Sequence, residues 1–212
     1  MTSAEDLLIS RHFKSLATDP GSLGLTDDAA FIKPPSGCDL VLKADAIVGG
    51  VHFFPDDPPG QLARKALRVN LSDLAAKGAK PLGYLLSLVL PGEVSESWLA
   101  SFAAGLQADG EAYGCPLFGG DTDRTPGPLT ISIAMFGTVP TGTMVKRAGA
   151  RPSDRIMVTG TIGDAALGVQ LRRGAAWKVS LEALEHLLSR YLLPQPRKVI
   201  AAAVRQHASA AM

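Results

Sequence analysis

Cysteine, aromatic residues and net charge are all scarce in this sequence, and each scarcity removes a class of protein. Two cysteines, Cys38 and Cys115, in 212 residues cannot build a disulfide framework, and neither stands in a Cys-x-x-Cys or Cys/His metal spacing. Both are expected to be reduced. Twenty-one Lys and Arg against 20 Asp and Glu leave a net charge of +1, which gives neither a nucleic-acid footprint nor a polybasic membrane patch. The longest apolar runs, such as Leu85 to Leu90, are too short to span a bilayer, and the N-terminus has no basic stretch ahead of an apolar core. A cytoplasmic protein acting on a small molecule is the expectation. Also absent are a Gly-x-x-x-x-Gly-Lys-Ser/Thr loop, a protein-kinase signature, a His-Glu-x-x-His pair, a nucleophile elbow and a Ser-His-Asp set.

What is present is a core-forming composition, 46% hydrophobic, on a chain long enough for one large domain or one and a half ordinary ones. Ser3 with Asp6 resembles a capping box that opens a helix reaching about Leu16. Ala29–Ile32 has the composition of a short strand. Leu40–Val48 has that of a largely buried one. Helical spacing of apolar residues predicts helices over about 60–77, with stop signals at Gly78 and Pro81, and over Glu96–Tyr113. Strands are predicted at Leu82–Leu90, Leu129–Phe136 and Arg155–Thr159, and helices at Ala165–Arg173, Leu181–Tyr191 and Arg197–Gln206. This order lacks the regular βαβ rhythm, so an α+β domain with a mixed, mostly antiparallel sheet and helices on one face fits better. The composition shift at Pro140–Thr143 divides the chain into an N-terminal domain, 1–140, and a segment, 141–212, whose one strand and three helices fall short of a complete α/β domain.

The chemistry concentrates in acids. Gly119-Gly120-Asp121-Thr122-Asp123-Arg124 places two glycines, two carboxylates and a guanidinium together after a short apolar run, as a turn at the end of a buried strand. Glycine lets a backbone approach a phosphate closely, and a carboxylate there can hold the Mg²⁺ that accompanies a nucleotide; an ordinary turn is the plainer reading. Asp28 belongs to an Asp-Asp pair at the mouth of a strand, a pattern shared with solvated turns. Asp45 interrupts an apolar strand, where a carboxylate is costly unless paired, hydrogen-bonded or bound to metal. Asp73 falls on the buried stripe of the 60–77 helix near its C-terminal end, where the dipole disfavours negative charge. A cation is therefore expected beside it, either Lys77 one turn on or a metal ion. If the four acids converge, two charges about 4 Å apart repel by roughly 4 kcal/mol at an effective dielectric near 20, and divalent cations would be needed to hold them. Hard oxygen ligands with room for phosphate oxygens imply Mg²⁺ and a nucleotide. Three further residues are candidates: His52 as a ligand contact or a packing histidine, Tyr113 as core or a stack for a base, and the Lys146–Arg151 loop as a phosphate clamp or a solvated loop.

The ordered set Asp27-Asp28-Ala29-Ala30, Asp45 through Gly50-Val51-His52-Phe53, Lys65 through Ala79 with its Asn70-Leu71-Ser72-Asp73-Leu74-Ala75-Ala76 core, Gly119-Gly120-Asp121-Thr122, Arg147 through Pro152, and Thr159 through Asp164 resembles the bacterial thiamine-monophosphate kinase family. That family belongs to the aminoimidazole-ribonucleotide-synthetase superfamily. The resemblance implies an N-terminal domain that dimerises into a barrel-like sheet with ATP near the interface, and phosphorylation of thiamine monophosphate by ATP. It implies Mg²⁺ ligation by Asp28, Asp45, Asp73 and Asp121, nucleotide-phosphate contacts from Gly120 and Arg147, and a substrate contact from His52. Another superfamily member with a different acceptor, or a nucleotide-binding module without turnover, are the alternatives. Two departures stand out: Thr26 replaces a glycine of the family pattern, and Lys43-Ala44 replace hydroxyl residues ahead of Asp45. The family pattern also continues, with an Asp-x-Ser-Asp-Gly-Leu motif, beyond the point where this sequence stops.

Overall fold

A four-stranded mixed sheet, ordered β1-β4-β2-β3, carries helices on one face. The computed structural model describes residues 4–92 and 94–212; Ser3 of the expected capping box lies outside them. In chain order the elements are α1 (Ala4–Leu8), continued by a π turn and a 3-10 turn to Leu16, a second 3-10 segment at Pro20–Leu25, β1 (Cys38–Val48), α2 (Pro59–Ala76), β2 (Lys80–Pro91), α3 (Glu96–Tyr113), β3 (Leu117–Thr125), β4 (Thr130–Pro140), α4 (Asp164–Arg172), α5 (Leu181–Leu192) and α6 (Ala201–His207). β1/β4 and β4/β2 pair antiparallel, while β2/β3 pair parallel through the α3 crossover. The α+β expectation with helices on one face holds. No helix among the described residues is long and apolar enough to cross a membrane.

Local chemistry explains why the two long helices end where the sequence says. Ser95 caps α3 by accepting from the Trp98 amide at 3.1 Å, and Gly114, at φ 61°, ends it in the left-handed conformation that glycine tolerates best. α2 buries Leu62, Leu67, Leu71 and Leu74, each contributing about 2 kcal/mol in transfer free energy. The apolar faces of β2 and β4, with Leu86, Leu88, Ile131 and Ile133 buried, close the same core. Where the N-terminal end of α2 crosses the middle of α3 the backbones nearly touch: a Cβ on Gly105 would stand 2.2 Å from the Gly60 carbonyl oxygen.

Three sequence expectations are corrected. Ala29–Ile32 and Arg155–Thr159 form no strand and belong to no sheet. A strand requires a hydrogen-bonding neighbour, which local composition cannot supply; Ile156 and Met157 remain 94% and 85% exposed. Leu40–Val48 does form a strand, but as a sheet edge with one face open rather than as a buried strand, so only Val41 and Ile47 are buried along β1. Gly119–Thr122 is not a turn but lies inside β3. There Gly120 pairs with Leu86, and a Cβ at Gly120 would stand 1.8 Å from the Leu86 carbonyl oxygen. Close strand approach, rather than a turn, accounts for that glycine.

Buried charge ties the second half of the chain to α2. Asp109 of α3 is 1% exposed and receives Arg68 Nε at 2.6 Å, Arg68 Nη2 at 2.9 Å and Arg64 Nε at 3.0 Å. Arg68 also donates to the Pro194 carbonyl at 3.2 Å. Lys65, one turn earlier on α2, is buried and donates to the His52 carbonyl at 2.9 Å, and its ammonium lies 3.8 Å from the centre of the Tyr191 ring on α5. The Tyr191 hydroxyl donates to Asp57, which also accepts from the Phe54 amide and from Arg172 of α4. Burial pulls the Lys65 ammonium down to about 8, with Asp57 opposing the shift.

Two outcomes follow from these buried ions. Asp109→Ala leaves Arg68 buried without its carboxylate and should lower stability by about 3 kcal/mol or more, read from urea unfolding; a change below about 1 kcal/mol would contradict the clamp. Lys65 is charged in both folded and unfolded states below pH 8, so its burial cost is then fully present. Between about 8 and 10.5 the folded state has released the proton that the unfolded chain still holds, so stability rises with pH. The wild type should gain up to about 3 kcal/mol over that window relative to Lys65→Met. Parallel stability curves for the two proteins would refute the assignment.

Candidate functional site

The sheet register separates the predicted acids. Asp45, Ile133, Leu86 and Gly120 form one transverse row, and Ala46, Ser132, Ser87 and Asp121 form the next. Residues in successive rows point to opposite faces. Ile133 and Leu86 are buried beneath the helices, so Asp45 lies on the helix face and Asp121 on the open face. β1 and β3 are also opposite edges, three strand spacings or about 14 Å apart. Within one chain Asp45 and Asp121 therefore cannot share an ion.

On the helix face the lysine that meets Asp73 is not Lys77. Lys77 turns to the C-terminal segment and donates to the Ala211 carbonyl at 2.7 Å. Instead Lys43, two residues before Asp45 on the same strand face, reaches up to α2. Its Nζ stands 2.7 Å from Asp73 Oδ2 and 3.0 Å from Asp45 Oδ2. The Asp73 hydrogen bond is the largest cause of a raised Lys43 pKa, against a smaller opposing effect of burial, with Asp45 adding to the rise. One turn before Asp73, Asn70 is 1% exposed; its Nδ2 donates to the Ala66 carbonyl at 3.0 Å while its Oδ1, also buried, accepts nothing from the described residues.

The remaining candidates are dispersed. Asp28 sits in an exposed loop beyond Leu25, and neither it nor Asp121 has an ion-pair partner among the described residues. Arg147 is exposed in the 3-10 turn Arg147–Gly149. Tyr113, half-buried at the end of α3, packs against the core with its ring 5.8 Å from the Arg68 guanidinium, and its carbonyl accepts from Lys198. His52 is exposed in the turn after β1, where Nδ1 accepts from the Val48 amide at 3.0 Å. Its free tautomer therefore carries the proton on Nε2.

Among the described residues, no three His, Cys, Asp or Glu side chains are grouped closely enough to hold a metal ion. The four carboxylates expected to ligate Mg²⁺ thus do not fit a shared ion within this chain. Asp45 and Asp73 already enclose an ammonium, and Asp28 and Asp121 stand open.

A cleft of about 400 Å³ was not expected from the sequence. It lies between the His52 turn and α2 on one side and α4 and α5 on the other, lined by His52, Lys65, Thr161, Asp164, Arg190 and Tyr191. Asp164 accepts from Thr161 and from His186, and Arg190 approaches it at 4.0 Å. These contacts hold its carboxyl below the usual carboxylate range, the Thr161 hydrogen bond first. The sequence held a signal for this cleft in Lys65, a charged residue in the middle of the α2 helix that the fold buries. Its partner on α5, the Tyr191 ring, lies far along the chain and carries no local mark.

Comparison with known proteins places the fold in a family. Residues 26–139 match the family described as AIR synthase related protein, N-terminal domain. The chain is 45% identical to a thiamine-monophosphate kinase of Caulobacter vibrioides over 91% of its own length, and spans 54% of that relative. It superposes on the crystal structure of thiamine-monophosphate kinase from Stenotrophomonas maltophilia with a TM-score of 0.83 at 40% identity, covering 99% of this chain and 67% of the other. AaThiL, solved in complex with AMPPCP and TMP, gives a TM-score of 0.76 at 31% identity, covering 87% of this chain and 58% of that one. The chain thus spans between about half and two thirds of the proteins it matches. By the match of more than half its residues, the chain belongs to the AIR-synthase-related family.

Proposed function

We propose that this chain is the nucleotide-binding part of an ATP-dependent kinase that phosphorylates thiamine monophosphate to thiamine diphosphate. The observation that carries this reading is the likeness, over most of the chain, to a protein solved with AMPPCP and TMP, a nucleoside-triphosphate analogue beside an acceptor. The acceptor phosphate is already anionic, so transfer requires no general base; positioning and charge neutralisation suffice. Gly120 presents bare backbone and Arg147 an exposed guanidinium to nucleotide phosphates, Tyr113 lies at the end of α3 as a candidate contact for the base, and His52 opens onto the cleft as the acceptor contact. Mg²⁺ arrives with the nucleotide, and Asp28 and Asp121 are the carboxylates open to it. Residues 1–140 form the nucleotide domain and 141–212 begin a second one, in a cytoplasmic enzyme.

A second copy of the chain completes the arrangement. The open face of the sheet exposes Leu40, Leu42 and Leu85 at 43%, 75% and 40%, beside Ala44, Ala46 and Ala134. An antiparallel sheet tolerates one solvated face when that face is polar; here leucine and alanine form an apolar patch of the kind that marks an interface. Asp121 lies on this face, so pairing two such faces would bring the carboxylate of one copy to the other.

The full-length protein, given ATP, Mg²⁺ and thiamine monophosphate, should form thiamine diphosphate and ADP in equal amounts while leaving other phosphate monoesters untouched, and should sediment as a dimer. No thiamine diphosphate would overturn the assignment. Product from another acceptor would place the chain elsewhere in its superfamily. A monomer fully active at low concentration would remove the second copy.

A further inference from the structure

We propose that the Lys43 ammonium is a built-in counter-cation for Asp45 and Asp73, occupying the position between their carboxylates that a divalent ion would otherwise take. The three side chains come from two elements that approach only in the folded protein. Lys43 and Asp45 are alternate residues on the helix face of β1, and Asp73 hangs from the last turn of α2. With 2.7 and 3.0 Å contacts to one oxygen of each carboxylate, the ammonium sits between the two acids rather than pairing with one.

Charge and space both favour the lysine. Mg²⁺ demands oxygen ligands at about 2.0–2.1 Å in near-octahedral array, which an ammonium already bonded to both carboxylates obstructs. A divalent ion and an ammonium confined to the same gap would also repel one another. No third carboxylate supplies the extra charge that would favour the metal, since among the described residues no group of three candidate ligands is present. Nor can another lysine relieve Lys43 of this task, because Lys77 is held by the Ala211 carbonyl. Lys43 retains 28% of its side-chain exposure and the two acids 49% and 43%, so the gap is open to a solvated ion once the ammonium is removed. The consequence is a chain that keeps two acids electrostatically satisfied without metal and leaves divalent binding to other positions. The proposal concerns metal occupancy alone and stands whether or not the acceptor is thiamine monophosphate.

Mn²⁺ titration of the intact protein without nucleotide, followed by the electron paramagnetic resonance of free Mn²⁺, tests it. Lys43→Met should gain one Mn²⁺ site, bound at least ten-fold more tightly than any site that Asp73→Asn removes from the wild type. Lys43→Met/Asp73→Asn should lose that site again. Lys43→Arg, which keeps the cation, should match the wild type in both Mn²⁺ count and thermal unfolding. The proposal is overturned if the wild type and Lys43→Met bind the same number of Mn²⁺ ions with equal affinity, or if Asp73→Asn alone removes a tight site. Should Lys43→Met not fold, the comparison of wild type, Lys43→Arg and Asp73→Asn decides the matter by the same criterion.

Discussion

α2 is buried on two sides, and most of the molecule follows from that constraint. One side lays Leu62, Leu67, Leu71 and Leu74 into the core above the sheet. The other side carries Lys65 and Arg68, which are also buried and therefore need partners. Arg68 finds Asp109 on α3 and the Pro194 carbonyl; Lys65 finds the His52 carbonyl and the Tyr191 ring. The same helix ends with Asp73 poised over β1. Thus one element fixes the α3 layer, seats the C-terminal helices and brings an acid to the strand that supplies Lys43.

Much of this frame was legible because it is local. The limits of α3 follow from a serine cap and a glycine stop, and α2 from its apolar period, while the ordered acidic motifs pointed to the family that residues 26–139 match. What could not be read depends on pairing between distant segments. Gly119–Thr122 looks like a turn until β2 lies beside it, because its glycines answer to the Leu86 backbone and not to a reversal of the chain. Leu40–Val48 looked buried because composition marks a strand but not whether its outer face is covered, and Asp45, on the helix face, stays half-exposed because β1 is a sheet edge. Lys77 was the natural partner for Asp73 along the helix, yet the residue that reaches it comes from another element thirty residues earlier.

The separation of the acids gives the account its shape. A set of carboxylates that reads along the sequence as one cluster is split by the sheet into a helix-face pair already neutralised by lysine and an open-face acid at the opposite edge. Asp121 shares the open face of the sheet with an apolar patch centred on β1, and the cleft between α2 and α5 joins His52 to the C-terminal helices. On the proposed reading, nucleotide and acceptor take different parts of one frame.

Crystals of the full-length protein grown with a non-hydrolysable ATP analogue and Mn²⁺ offer the most direct test. Anomalous scattering should locate manganese beside Asp121 and the nucleotide phosphates, with the Lys43 ammonium still between Asp45 and Asp73. A manganese peak within bonding distance of both Asp45 and Asp73, with Lys43 displaced, would contradict the account.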